Sequence, residues 1–129
     1  MIATFLVFLG GGIGAAARHG VNLLAARVFA TEFPWGTLAV NVIGSLLIGV
    51  AAAWFAFRGD TSVIWGQPMR LFLTTGVLGG FTTFSAFSLD FAVLFERGEV
   101  GLGIAYVLAS VVLSIGAIFL GLFLVRSMA

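Results

Sequence analysis

The chain has 129 residues, 61% of them hydrophobic and 9% charged, with a formal net charge of +1 at pH 7. Soluble domains are about 45–50% apolar and about 25% charged, so with a mean hydropathy of +1.21 a water-soluble globule is excluded and an integral membrane protein is expected. There is no cysteine and a single histidine, His19, which excludes disulfides, thiolate sites and multi-histidine metal sites, and the small net charge gives no basic stripe for nucleic acid.

Charge-free runs cover 1–17, 33–57, 71–89 and 100–125, which is 17, 25, 19 and 26 residues. A bilayer core needs roughly 17–25 apolar residues in a helix. Four transmembrane helices are therefore expected near 2–28, 36–57, 69–95 and 101–125, as one all-α membrane domain spanning 1–129. The first run lacks a basic start and continues as Gly- and Ala-rich helix, so it reads as a span rather than a cleaved leader. Its Gly10/Gly14 and Gly12/Ala16/Gly20 spacings, like Gly76/Gly80 later, are those of closely approaching helices. They point to a homo-oligomer, most simply a dimer. Arg18 stands at the end of the first run; it either snorkels or sets a positive potential at the mouth of an anion path. His19 reads as an interfacial side chain.

In the second helix Thr37, Asn41 and Ser45 recur every four residues, which keeps them on one face. The third carries the densest signal, from Thr74 to Asp90. The adjacent Gly79 and Gly80 invite a break near mid-span, and Thr82 and Thr83 are candidate caps for a restarted helix. Broken backbone at membrane depth is tolerated only where it is buried or lines a cavity. Freed carbonyls there would suit a small hard cation, whereas freed amides would suit an anion. Phe84 and Phe87 share a face with Ser85 and Ser88 interleaved, and ring edges are electropositive, so they can meet an anion; plain packing is the alternative. Asp90 and Glu96 read as interface markers or as pairs for Arg97. In the fourth helix Tyr106, Ser110 and Ser114 form a further four-residue stripe, although a serine can also satisfy itself on the carbonyl four residues back.

Loops are expected near 29–35, 58–68 and 96–100. One side of the membrane then carries Arg58, Arg70 and Arg126, and the other Arg27 and Arg97, with Arg18 if it reaches that interface. Orientation is set by an excess of basic residues on one side. Here there is almost none, which is compatible with insertion in both orientations.

In these residues the chain resembles the small CrcB-type, or Fluc, fluoride channels of bacteria and other microbes. The matching pieces are Gly11-x-x-Gly14 followed by Arg18; Trp35-Gly36-Thr37-Leu38-x-Val40-Asn41-x-x-Gly44; Gly79-Gly80-Phe81-Thr82-Thr83-Phe84-Ser85-x-Phe87-Ser88; and Tyr106, Ser110 and Ser114. The resemblance implies a fluoride-selective, passive channel in the cell (inner) membrane, built as an antiparallel dual-topology homodimer with two pathways. It implies that Asn41, Phe84 and Phe87 line the path with Ser85 beside them, and that Tyr106, Ser110 and Ser114 form a polar track near Thr37. It further implies that Arg18 serves an aqueous vestibule, and that the Gly79 and Thr82 carbonyls hold a structural sodium ion on the dimer axis. Ala86, Asp90 and His19 depart from the residues common in that family. No enzyme is expected, since no nucleophile stands beside a base. The competing readings are a proton-coupled exporter of the small multidrug type, which needs a carboxylate within a span, and a structural membrane protein.

Overall fold

The computed structural model describes residues 1–29, 31–58 and 66–128. Among the described residues, four stretches are long and apolar enough to cross a membrane: Ile2–Val28, Trp35–Ala56, Gln67–Glu96 and Val100–Ser127. The first is one helix, α1 (Ile2–Val28), and the second is α2 (Trp35–Arg58), with Pro34 just before it. The third is composite: α3 (Gln67–Arg70), a π-helical segment (Leu71–Leu78), α4 (Gly79–Phe81) and α5 (Phe84–Glu96). The fourth is α6 (Val100–Ser127). Most of the expected 58–68 loop, with Asp60, lies outside the described residues.

Two helix pairs make the architecture. α2 packs along α6, while α1 packs along the π-helical segment and α4; shorter α1–α2 and α5–α6 contacts join the pairs. Both seams are built on glycine. A Cβ at Gly10 would lie 2.6 Å from the Phe72 carbonyl oxygen, one at Gly14 would lie 2.7 Å from the Phe81 nitrogen, and one at Gly80 would strike the Gly11 backbone. Across the other seam, a Cβ at Gly121 would meet the Leu46 carbonyl oxygen at 2.5 Å and the Val50 nitrogen at 2.8 Å. Without side chains between them the backbones touch, and dispersion between close surfaces is what holds helices together in lipid. Gly10, Gly14, Gly76 and Gly80 therefore serve contacts within the chain. Gly12 and Gly20 meet nothing within 4 Å.

The third span breaks, but not at its glycine pair. Gly79 and Gly80 remain helical, and the backbone becomes extended at Thr82 (φ −83°, ψ 156°) and Thr83 (φ −154°, ψ 125°). The reason is packing: Gly80 is needed as a methyl-free contact with α1, so its conformational freedom is not what is used. The two threonines divide the work. Thr82 Oγ1 donates to the Leu78 carbonyl at 2.9 Å, closing the helix behind it, and Thr83 Oγ1 accepts from the Ala86 amide at 3.1 Å, opening the helix ahead. A cap of this kind contributes about 1 kcal/mol.

The turn from α5 to α6 is fixed locally. Gly98 has φ +79°, its amide donates to the Phe95 carbonyl, and the Glu99 amide donates to the Leu94 carbonyl. This is a Schellman closure, which needs a left-handed residue that glycine supplies without strain. The buried core of the chain is small. One cluster joins Leu38, Leu94 and Tyr106, with Phe33, Val42, Phe87 and Leu102 packed around them; Val40, Ala53, Leu78 and Ala117 are buried apart from it. In none of the four spans is more than 28% of the most apolar stretch buried within the chain.

Candidate functional site

The break in the third span, the polar face of α2 and the polar face of α6 converge on one groove. It has a volume of about 330 Å³, and its polar lining is Asn41, Ser45, Thr82, Thr83, Ser110 and Ser114, facing Phe84 and Phe87. Three stripes that were separate in sequence thus meet because α2 packs on α6 and α5 lies against α6.

Within the groove the polar atoms are in different states. Asn41 is committed to the break: its Nδ2 donates to the Thr83 carbonyl at 3.0 Å, and its Oδ1 accepts from the Thr83 amide at 2.8 Å. A primary amide has two donor hydrogens, so one N–H is left for the groove. Ser88, exposed and outside the groove lining, donates its hydroxyl to the Phe84 carbonyl four residues back, the self-satisfying arrangement open to helical serines. Ser110 does not. Its hydroxyl is buried and has no hydrogen-bond partner among the described residues. Ser85 lies outside the groove lining, with its Oγ 3.3 Å from Thr83 Oγ1.

The aromatic side chains continue the line. Phe84 and Phe87 stand 5.4 Å apart between centroids, Phe87 and Tyr106 5.2 Å, and Phe33 meets Tyr106 edge to face at 5.5 Å and 84°. Tyr106 is fully buried, and its hydroxyl donates to Asp90 Oδ2 at 3.1 Å. Beyond it lies a second cavity of about 370 Å³ under the 29–35 loop, lined in part by Asn22, Glu32, Phe33, Thr37 and Asp90. Thr37 therefore lines the second cavity rather than the groove, and Tyr106 lines neither, touching Phe87 of the groove on one side and Asp90 of the second cavity on the other.

Of the residues singled out from sequence, Asn41, Thr82, Phe84, Phe87, Ser110 and Ser114 come together. Arg18 lines neither cavity, and Gly79 lies exposed in the helix ahead of the break. Asp90, read from sequence as an interface marker or a pair for Arg97, is the acceptor for the Tyr106 hydroxyl. Three participants were missed. Ser45 stands on the α2 stripe, but the resemblance gives it no role. Thr83 read only as a cap, and its bond to Asn41 spans 42 residues, beyond any local signal. Phe33 is one phenylalanine among 14, with nothing in its spacing to mark it.

The chain is similar over nearly its whole length to known proteins. The chain is 57% identical over 121 residues to the fluoride-specific ion channel FluC 2 of Nitrobacter hamburgensis, covering 94% of each chain. It is 56% identical to the fluoride-specific ion channel FluC of Rhodopseudomonas palustris strain BisB5, over 95% of each. The FluC of Granulibacter bethesdensis is 54% identical over 99% of this chain and 98% of its own. Residues 5–122 match the family model described as CrcB-like protein, Camphor Resistance (CrcB), and the chain belongs to that family.

Proposed function

We propose that the chain is a fluoride-specific channel conducting passively across a membrane, with the groove between α2, α5 and α6 as the pathway. The observation that carries this is the Ser110 hydroxyl, buried in the groove without a partner. Buried polar groups are nearly always hydrogen-bonded, and an exception calls for an occupant. The relatives are named fluoride-specific ion channels, and the coupled-exporter alternative gains nothing from them.

Fluoride is small and strongly hydrated, so its water must be replaced by good donors. Ser110, Ser114 and the free N–H of Asn41 supply neutral ones, and the Phe84 and Phe87 edges supply a positive rim. Neutral donors bind without trapping, as conduction requires. At Tyr106 the hydroxyl proton is given to Asp90, and the Thr37 side chain is hydrogen-bonded to the same hydroxyl, so Thr37 and Tyr106 continue the polar track as one linked pair. Arg18 adds a positive potential at the aqueous end.

The working unit is an antiparallel, dual-topology homodimer with two pathways in the cell (inner) membrane. The near balance of arginines and the low burial of every span within one chain support it. A structural sodium ion on the dimer axis fits the chemistry of the break. The Thr83 and Ala86 amides, which an unbroken helix would deliver to the Gly79 and Thr82 carbonyls, go to Asn41 and to the Thr83 hydroxyl. Those two carbonyls are oxygen donors left open, of the kind a hard cation takes.

The deciding experiment is efflux from liposomes loaded with potassium fluoride. Fluoride released on adding valinomycin, with chloride retained and no proton gradient imposed, is the expected result. Release only under a proton gradient would overturn the channel reading.

A further inference from the structure

We propose that Asn41 is a positioning residue: its side chain stands in for a peptide group and holds the Thr83 amide away from the Gly79 carbonyl, keeping the break open. For what would use the opened carbonyl, this rests on the sodium reading above; for the backbone geometry it stands alone.

Both Asn41 bonds go to one residue, donor to acceptor and acceptor to donor, at 3.0 and 2.8 Å. This is the reciprocal exchange of a hydrogen-bonded pair in an antiparallel sheet, and Thr83 has the matching extended backbone (φ −154°, ψ 125°). A side chain serving only as a donor to an anion would have no use for its own oxygen. Here the oxygen takes the one amide whose natural helical acceptor is the Gly79 carbonyl. The next turn of α2 adds a second support. A Cβ at Gly44 would run into Thr82 Cγ2 and lie 3.3 Å from Phe81 Cδ2, so α2 receives the threonine methyl just below the amide clamp. The α2 face therefore sets the backbone of the third span as well as lining the groove.

Removing the clamp gives the Thr83 amide two choices, solvent or the Gly79 carbonyl. In a low-dielectric setting an unmade backbone bond is costly, so the carbonyl is recaptured and the helix closes by one bond. The test is solid-state NMR of the full chain in lipid, labelled with ¹³C-carbonyl and ¹⁵N glycine. Gly–Gly pairs occur only at 10–11, 11–12 and 79–80, so the Gly79 carbonyl is one of three correlations. Asn41→Ala should move that correlation downfield to the hydrogen-bonded position and leave the other two in place. Asn41→Asp, examined at a pH low enough to keep the carboxyl protonated, keeps an oxygen for the Thr83 amide and a hydroxyl for the Thr83 carbonyl and should leave all three unmoved. Exchanging choline chloride for sodium chloride should shift the Gly79 carbonyl and raise the melting temperature in the wild type and Asn41→Asp, and do neither in Asn41→Ala. Fluoride flux is lost in both variants and does not separate them; the carbonyl and sodium responses do. An unmoved Gly79 carbonyl in folded Asn41→Ala, or an equal shift in Asn41→Asp, overturns the proposal. If Asn41→Ala does not fold, Asn41→Leu, of the same shape and without hydrogen-bonding atoms, takes its place: the Gly79 correlation should move downfield, and an unmoved one overturns the proposal. A wild type indifferent to sodium removes the sodium reading, while the carbonyl shift still decides the positioning role.

Discussion

A hydroxyl buried without a partner costs roughly 1–3 kcal/mol, and among the described residues Ser110 has none until the groove is occupied. Ser110→Ala should leave the melting temperature unchanged or slightly raised, because an unsatisfied group is removed. Fluoride efflux should fall at least about tenfold, the equivalent of about 1.4 kcal/mol. Undiminished flux would remove Ser110 from the path. The phenylalanines make a complementary case. Phe84 is 78% exposed in the chain and Phe87 is packed against the small core. Phe84→Ile should cost under about 0.5 kcal/mol of stability and Phe87→Ile somewhat more, yet both should abolish efflux by removing ring edges; two active variants would contradict the assignment. The polar stripes were legible in the sequence because four-residue spacing defines a helix face. The state of each hydroxyl was not: Ser88 bonds back along its own helix and Ser110 does not, and spacing is blind to that difference.

Among the elements, the composite third span shows where pattern reading stops. Length and hydropathy locate Gln67–Glu96, and the double glycine marks an irregularity. What decides its position is the neighbouring helix. α1 requires Gly80 for contact, so the break moves on to Thr82 and Thr83, where α2 offers a polar clamp. Periodicity along one segment carries no information about such a contact. The π-helical segment was equally hidden, since its wider turn changes the bonding and not the composition. Glycine substitutions should sort by this logic. Gly80→Ala forces a methyl into the Gly11 backbone and should destabilise by about 1–3 kcal/mol. Gly101→Ala, helical with nothing within 4 Å, should stabilise by about 0.5–1 kcal/mol. Thermal melts of the two variants in detergent check the opposite signs; equal effects would mean that the α1 seam is looser than its geometry.

For the molecule as a whole, the small-residue spacings read from sequence as a subunit contact prove to be divided. Gly10, Gly14, Gly76 and Gly80 close the chain on itself, while Gly12, Ala16 and Gly20 stay on an open face. Spacing identifies residues that permit close approach and does not say which helix approaches. The open apolar surface has to meet lipid or protein. In the proposed dimer the two copies run in opposite directions, so tags placed in the 96–100 loop should be accessible from both sides of the membrane in about equal amounts, as the arginine balance suggests. Accessibility from one side only would overturn the antiparallel arrangement.

The glycine seams also bear on how this sequence is free to drift. A crowded side-chain contact is usually repairable, since a larger residue on one helix is offset by a smaller one opposite. Across the α1 seam the obstacles are carbonyl oxygens and amide nitrogens of Gly11, Phe72, Val77 and Phe81, atoms that every residue carries. No second substitution can trim them. Change at these glycines is therefore without a compensating route, whereas the lipid-facing positions can wander among apolar residues, and the two seams set the positions from which lineages of this chain have least room to depart.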